Sequence, residues 1–223
     1  MTITWTKDAG TLVDDALRRV QMLGDGQSAS AHVWSVARDH LNSLLKLLQT
    51  QGPNEWRRAL QTVALVAGTA SYTLSPRPDR VKQVYHRNTA SQDFWLNQWN
   101  YDDYERLPVK TATGRPTIFT LDRQRSATTI YLWPVPDTTA AAGSLRISYE
   151  RVMEDVSDRA DIVDVPQEWL DTITDLVGAR TADSFNVGDK SPAMAAKERG
   201  LASLEAVLGY DREPSIRFVF SRE

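Results

Sequence analysis

The chain holds three histidines, His32, His40 and His86, and no cysteine. The missing thiol removes disulfides, thiolate catalysis, thiolate zinc sites and iron–sulfur ligation together. None of the histidines stands at the i, i+4 or short-loop spacing that zinc sites use, and His32 and His40 lie about two helical turns apart, too far to share an ion. Packing or surface roles are expected for all three, with no metal and no cofactor. There is no G-x-S-x-G, no G-x-x-x-x-G-K-[ST] and no G-x-G-x-x-G, so neither a nucleophile elbow nor a phosphate cradle is encoded.

Carboxylates are the remaining route to chemistry, because two of them suffice for glycoside hydrolysis. Over residues 151–176, eight acids (Glu154, Asp155, Asp158, Asp161, Asp164, Glu168, Asp171 and Asp175) face two bases (Arg151 and Arg159), a net of −6. A catalytic pair needs one acid in an apolar pocket, and so acidic a run does not advertise one. The plainer reading is a solvated linker followed by a favourably charged helix N-terminus.

Basic residues are scattered. Arg77, Arg80, Lys82 and Arg87 surround a strand-like Val81–Tyr85, and Arg115, Arg123 and Arg125 lie around a second strand pair. They either line a channel touching DNA phosphates or serve as ordinary edge-strand charge. At the C-terminus, Ile216, Phe218 and Phe220 alternate with Arg217 and Val219. A strand of this kind docks on its own domain or augments a partner.

The 223 residues allow one large domain or two small ones, with 41% hydrophobic and 25% charged residues marking a globular chain. The formal charge of −3 counts against a free-standing DNA binder. The longest apolar stretch, near Val63–Ala67, falls far short of the ~18–20 residues that span a bilayer. The N-terminus lacks the pattern of a signal peptide, so assembly in the cytoplasm is expected.

Leu12, Ala16, Val20 and Leu23 predict a helix over 11–23, stopped by Gly24-Asp25-Gly26, with Asp14 and Asp15 on its polar side. Ser28 or Ser30 caps a second helix reaching about Thr50, with a seam of Val33, Ala37, Leu41, Leu44 and Leu48 that Leu45 and Leu47 widen. Gly52-Pro53 terminates it. From about Leu60 to Arg151 the helical period disappears. Thr62–Val66 and a returning Ser71–Leu74 strand flank a turn at Ala67–Ala70. Val81–Tyr85 is a strand, Thr117–Leu121 and Thr129–Trp133 form a hairpin, and Ser144–Tyr149 closes a set of five or six strands. Trp99–Leu107 holds one or two helical turns. Asp164-Val165-Pro166-Gln167 resembles a capping box opening a third helix to about Phe185 along Trp169, Ile173, Leu176, Val177 and Arg180. Ser191-Pro192 opens a fourth, with Met194, Leu201, Leu204 and Leu208 on one side and Gly209 as its end.

The expected fold class is α+β: a four-helix core (1–58 and 160–209), an antiparallel β domain (59–159) inserted between helices two and three, and an extended C-terminal tail (210–223). Among seven tryptophans, Trp56, Trp99, Trp133 and Trp169 fall at element boundaries, where they are expected to pin the insertion to the helices.

This order of landmarks resembles the bacteriophage head-to-tail adaptor family, also called head-completion or tail-tubular proteins. The landmarks are Trp56, the segment Val63–Leu74 with Gly68 and Tyr72, Gly114-Arg115-Pro116 before a strand, Ile130–Pro136, a strand ending at Tyr149, and Val165–Trp169 opening a helix. Gly114 and Pro116 are expected to set the entry to a hairpin. Pro134 and Pro136 should end its second strand, and Trp133 and Trp169 anchor small cores.

The resemblance implies a virion protein at the head–tail junction. It implies a homo-oligomeric ring, matching the portal's usual twelve-fold symmetry, that binds the portal above and a tail nozzle or tail-tube protein below. Such a ring extends the DNA channel without catalysis, cofactor or membrane. On that analogy Ile216, Arg217, Phe218, Val219 and Phe220 would be portal anchors, and Arg77, Arg80, Lys82, Arg123 and Arg125 would face passing DNA. Two other readings stand beside it: a peptidoglycan-degrading, muramidase-like virion enzyme using Glu154 or Asp155, and a free DNA-binding protein.

Overall fold

The computed structural model describes residues 5–50 and 55–210. In chain order the elements are α1 (Ala9–Arg19), α2 (Ala31–Thr50), a 3₁₀ turn (Glu55–Arg57), β1 (Arg58–Ala64), β2 (Ser71–Leu74), β3 (Pro78–Arg87), β4 (Asp93–Trp95) and β5 (Asn97–Gln98). There follow α3 (Tyr101–Glu105), β6 (Thr113–Gly114), β7 (Ile118–Arg123), β8 (Thr128–Trp133), β9 (Val135–Pro136), α4 (Thr138–Ala141), β10 (Ser144–Arg151), α5 (Gln167–Ser184) and α6 (Ser191–Tyr210). The chain is mixed α+β and divides into two compact units, residues 57–152 and the residues on either side of them.

The helical unit carries α1, α2, α5 and α6. Its core joins Leu12 and Ala16 of α1, Leu41, Leu44, Leu45 and Leu48 of α2, and Trp169, Ile173, Leu176 and Val177 of α5, with Leu204, Val207 and Leu208 of α6 packed against it. α5 is the central helix, buried on nearly all sides between Trp169 and Ala182, with Thr172, Thr174, Asp175 and Thr181 among its buried positions. α1 begins earlier than its periodicity suggests. Asp8 caps it by accepting from Thr11 N at 2.7 Å, and the loop after residue 152 takes its next free donors, Ala9 N to Asp161 O and Gly10 N to Arg159 O, both 2.8 Å.

It also ends earlier, at Arg19, in a Schellman arrangement. Gln21 adopts φ +58°, Gln21 N donates to Arg18 O, and Met22 N donates to Leu17 O. Gly24 is therefore not its stop. Ser30 does cap α2, its Oγ facing Val33 N at 3.4 Å. The expected stop at Gly52-Pro53 lies outside the described residues.

Several face assignments change. Asp14, placed on the polar side of the first helix, is buried and accepts from Ala29 N at 2.9 Å. Leu47, Met194 and Leu201 are exposed. The inward side of α6 is instead small, at Ala196 and Gly200, because Leu176 of α5 occupies the space a Cβ on Gly200 would need. Gly209 lies inside α6, not at its end. The cap position of α5 is Pro166, and Asp164 instead accepts from Glu154 N at 3.0 Å.

The β unit holds two four-stranded sheets, ordered β1-β10-β3-β4 and β2-β8-β7-β5, and a two-stranded pair β6-β9. Among the described residues that makes ten strands, more than the five or six expected. Both larger sheets feed one core: Val84, Leu145 and Ile147 from the first, Leu74, Phe119, Ile130 and Leu132 from the second. β7 and β8 form the expected antiparallel hairpin, Ile118 opposite Trp133. Ser71–Leu74 is a strand, but it does not return along β1. It pairs with β8, whereas β1 pairs with β10. Gly68, at φ +80°, makes the turn that sends the chain from one sheet to the other. Two short pairs, β5-β7 and β6-β9, are parallel.

Candidate functional site

The residues singled out as landmarks converge within the β unit. Pro134 ends β8, as a residue without an N–H must. Pro136 lies beyond that strand, as the last residue of β9, opposite Gly114 of β6. Gly68 N donates to Pro136 O at 2.9 Å, Asp137 N donates to Gly114 O at 3.2 Å, and Trp133 Nε1 donates to Val109 O at 3.0 Å. Pro116 is buried just before β7. Tyr72 ties off the same turn region, its Oη bonding both Val66 N and Val66 O. Trp133 is half-buried, so it closes this end of the sheet more than it anchors a core, while Trp169 is buried in the helical core. Trp56 packs on that same core and Trp99 is exposed within the β unit.

The basic residues separate into two kinds. Arg77 Nη1 donates to Arg125 O at 2.8 Å, which brings Arg77 to the β7–β8 turn beside Arg123 and Arg125, all three exposed. Arg80 is exposed on β3. Lys82 is paired within the unit, its ammonium 2.7 Å from Glu150. Glu150 in turn belongs to a buried cluster around Arg57. That guanidinium, fully buried, bonds Asp79 and Arg151 O at 2.9 Å each and Glu150 at 3.3 Å, where β1 and β10 begin and end. The portal-anchor residues Ile216, Arg217, Phe218, Val219 and Phe220 lie outside the described residues.

The acidic stretch is not a loose linker. Its backbone is strapped along α2 by a polar row. Asn42 exchanges hydrogen bonds with Val156 N and O at 2.8 and 2.9 Å, Lys46 donates to Met153 O at 2.6 Å, and Gln49 accepts from Met153 N at 3.2 Å. Asp161 accepts from Ser157 N and Asp158 N at 2.8 Å each, and these backbone donors, Asp158 first, hold its carboxyl below the usual aspartate value. Glu154 and Asp155 are exposed, Asp155 pairing with Lys46 at 2.7 Å, which is no apolar pocket for a general acid. Asp175, counted above in the acidic run, is buried and accepts from Arg19 at 3.0 Å and Arg199 at 3.1 Å, joining α1, α5 and α6.

His86 is an interior residue whose Nε2 donates to Ala140 O at 2.9 Å. His32 meets Phe185 edge-on. His40 Nε2 lies 2.7 Å from Ser184 Oγ, but the Ser184 hydroxyl also has the Arg180 carbonyl at 3.2 Å, the usual helical back-bond. An O–H spent on that carbonyl leaves the imidazole as donor, the reverse of an activated nucleophile. Among the described residues no three His, Asp or Glu side chains are placed to hold a metal ion, and no helix is long and apolar enough to cross a membrane. A concavity of about 350 Å³ between Trp99, Asp103, Arg106, Leu107 and Pro108 carries one acid and one base and is open to solvent.

Charge is distributed unevenly between the units. Residues 57–152 carry 13 basic against 8 acidic side chains, a net of +5, and the rest of the chain 13 against 21, a net of −8. The overall −3 conceals this polarity, which becomes legible only once the boundaries at 57 and 152 are known.

A family model described as the SU10 adaptor protein matches residues 7–216, both units together. No curated protein matches the chain.

Proposed function

We propose that this chain, which belongs to the SU10 adaptor protein family of bacteriophages, works by shape, as a subunit of a ring that joins the portal to the tail and continues the DNA channel. The observation that carries the reading is the extent of the family match, which runs through the helical unit, the β unit and back into the helical unit. A ring subunit needs two unlike faces that meet head to tail, and a molecule with one unit at +5 and the other at −8 has them. The ring would have twelve subunits to match the portal and would reside in the virion at the head–tail junction, with a nozzle or tail-tube protein on its far side.

Within that ring, Arg77, Arg123 and Arg125 at the β7–β8 turn, with Arg80 nearby in sequence, are the residues assigned to passing DNA. Exposed guanidiniums without buried partners contact phosphates through counterion release, an interaction that lets DNA slide. The alternating segment Ile216–Phe220 is assigned to the portal, where an aromatic strand finds a groove or a sheet edge.

The test is electron microscopy of the full chain mixed with its portal. A ring stacked below the portal is the expected image, and portal rings with nothing bound would refute the adaptor reading. Removing residues 212–223 should abolish portal binding while the circular dichroism spectrum stays that of the intact fold. Undiminished binding by the truncated chain would move the portal contact elsewhere.

A further inference from the structure

The outward face of the sheet β1-β10-β3-β4 is uncovered within the β unit. The register places Thr62, Arg146, Tyr85 and Trp95 side by side across all four strands, with Leu60 opposite Ser148 and Ser148 opposite Gln83 in the next row. Trp95 is 61% and Leu60 55% exposed. The row is held in place before anything binds. The Tyr85 and Trp95 rings meet at a tilt, centroids 4.8 Å apart, Arg87 lies over Tyr85, and Arg87 is clamped to Asp93 by two hydrogen bonds of 2.6 Å. Arg146 donates to Thr62 Oγ1 at 2.7 Å, and its charge also acts on Asp93. A rigid Trp–Tyr–Arg cluster flanked by an exposed leucine is the composition of an interface hot spot, not of a surface meant for water. The Tyr85 ring already has Trp95 and Arg87 as neighbours.

We propose that this sheet face is the docking surface for a second copy of the chain, and that it receives the neighbour's acidic surface at the start of α5. The occupant is argued from charge. The face belongs to the +5 unit and presents two arginines, Arg87 and Arg146, to the one carboxylate of Asp93. The −8 unit offers the exposed carboxylates Glu154, Asp158 and Glu168 on the stretch that leads into α5. Joining two unlike surfaces gives a heterologous contact, which propagates and closes into a ring, whereas pairing this face with itself would bring arginine against arginine. The inference rests on the adaptor reading for its second copy, and it names the contact that reading leaves open.

Because the chain has no cysteine, the contact can be trapped without background. Gln83→Cys marks the sheet face and Gln167→Cys marks the start of α5, both at exposed positions. The two full-length variants, mixed under mild oxidation with portal present, should give a mixed disulfide dimer at least tenfold above either variant alone. Adding Arg146→Glu to the Gln83→Cys chain should remove that dimer, as should about 0.5 M salt. Cross-linking of Gln83→Cys with itself, or a mixture no better than the single variants, overturns the proposal. If portal binding persists in such a negative result, the adaptor reading survives and only this contact fails.

Discussion

Gly178 of α5 lies against the carbonyl oxygen of Ala16 in α1, so close that a Cβ on the glycine would stand 2.5 Å from that oxygen. Two helices cannot approach this nearly around a larger residue, so the position of α1 on the central helix depends on one absent methyl group. Gly178→Ala should cost about 1–3 kcal/mol through forced separation of the helices, read as a lower urea midpoint. Gly200→Ala, whose new methyl meets the side chains of Leu176 at 2.8 Å and Asp175 at 3.3 Å but no backbone, should cost less. Equal losses would mean that the backbone contact carries no special weight.

Asp175 should be the most damaging carboxylate to remove from the helical unit. Its neutral replacement Asp175→Asn removes the buried carboxylate that joins Arg199 to Arg19 and leaves Arg19 with Asp171 alone. Both arginines retain some access to water, so the expected loss is about 1–3 kcal/mol. Denaturant titration of Asp175→Asn against Asp171→Asn measures it. The exposed Asp171, 2.5 Å from Arg19, should matter less.

Arg57 plays the corresponding part in the β unit, gathering Asp79, Glu150 and the Arg151 carbonyl around one fully buried guanidinium. Truncation to Arg57→Ala takes the shared guanidinium from Asp79 and Glu150, leaving Glu150 with Lys82, and should cost about 3 kcal/mol. Hydrogen exchange should then show early opening of β1 and β10. Unaltered protection of both strands would remove the cluster from any structural role.

His40 predicts a pH dependence. Partial burial, and after it the nearby Arg180 charge, hold the folded-state pKa of His40 below the ordinary 6.5. A base with a depressed folded pKa binds its proton more readily when unfolded. Its contribution is therefore fully present above pH 6.5 and lost as pH falls below that value toward the folded pKa. The urea midpoint should decline between about pH 7 and 5, and His40→Gln should flatten that slope. An identical slope in the variant would assign the decline to other groups.

Much of the local structure is legible in the sequence. Ser30 as a cap, the seam of the second helix, the β7–β8 hairpin and the Ser71–Leu74 strand all follow from spacing and turn chemistry, which act over a few residues. What Ser71–Leu74 pairs with does not follow, because strand pairing depends on sheet closure and not on the segment itself. The inward faces of α1, α5 and α6 were misjudged where a polar or small residue does the packing. Asp14 and Asp175 are buried because a backbone N–H and two guanidiniums receive them, and Gly178 and Gly200 are buried because neighbours come close.

Composition and spacing by themselves determined the α+β class, the order of helices and strands, the absence of a thiol and of any nucleophile motif, and the landmarks that led to the adaptor family. The tertiary structure alone decided which charges are available. Lys82 is taken by Glu150 and Arg57 is sealed inside the β unit, whereas Arg77 is drawn to Arg125 and Arg146 is left facing outward. The reason is physical: a side chain's type is local, but whether its charge is already neutralised depends on residues 48 to 93 positions away, brought beside it only by folding.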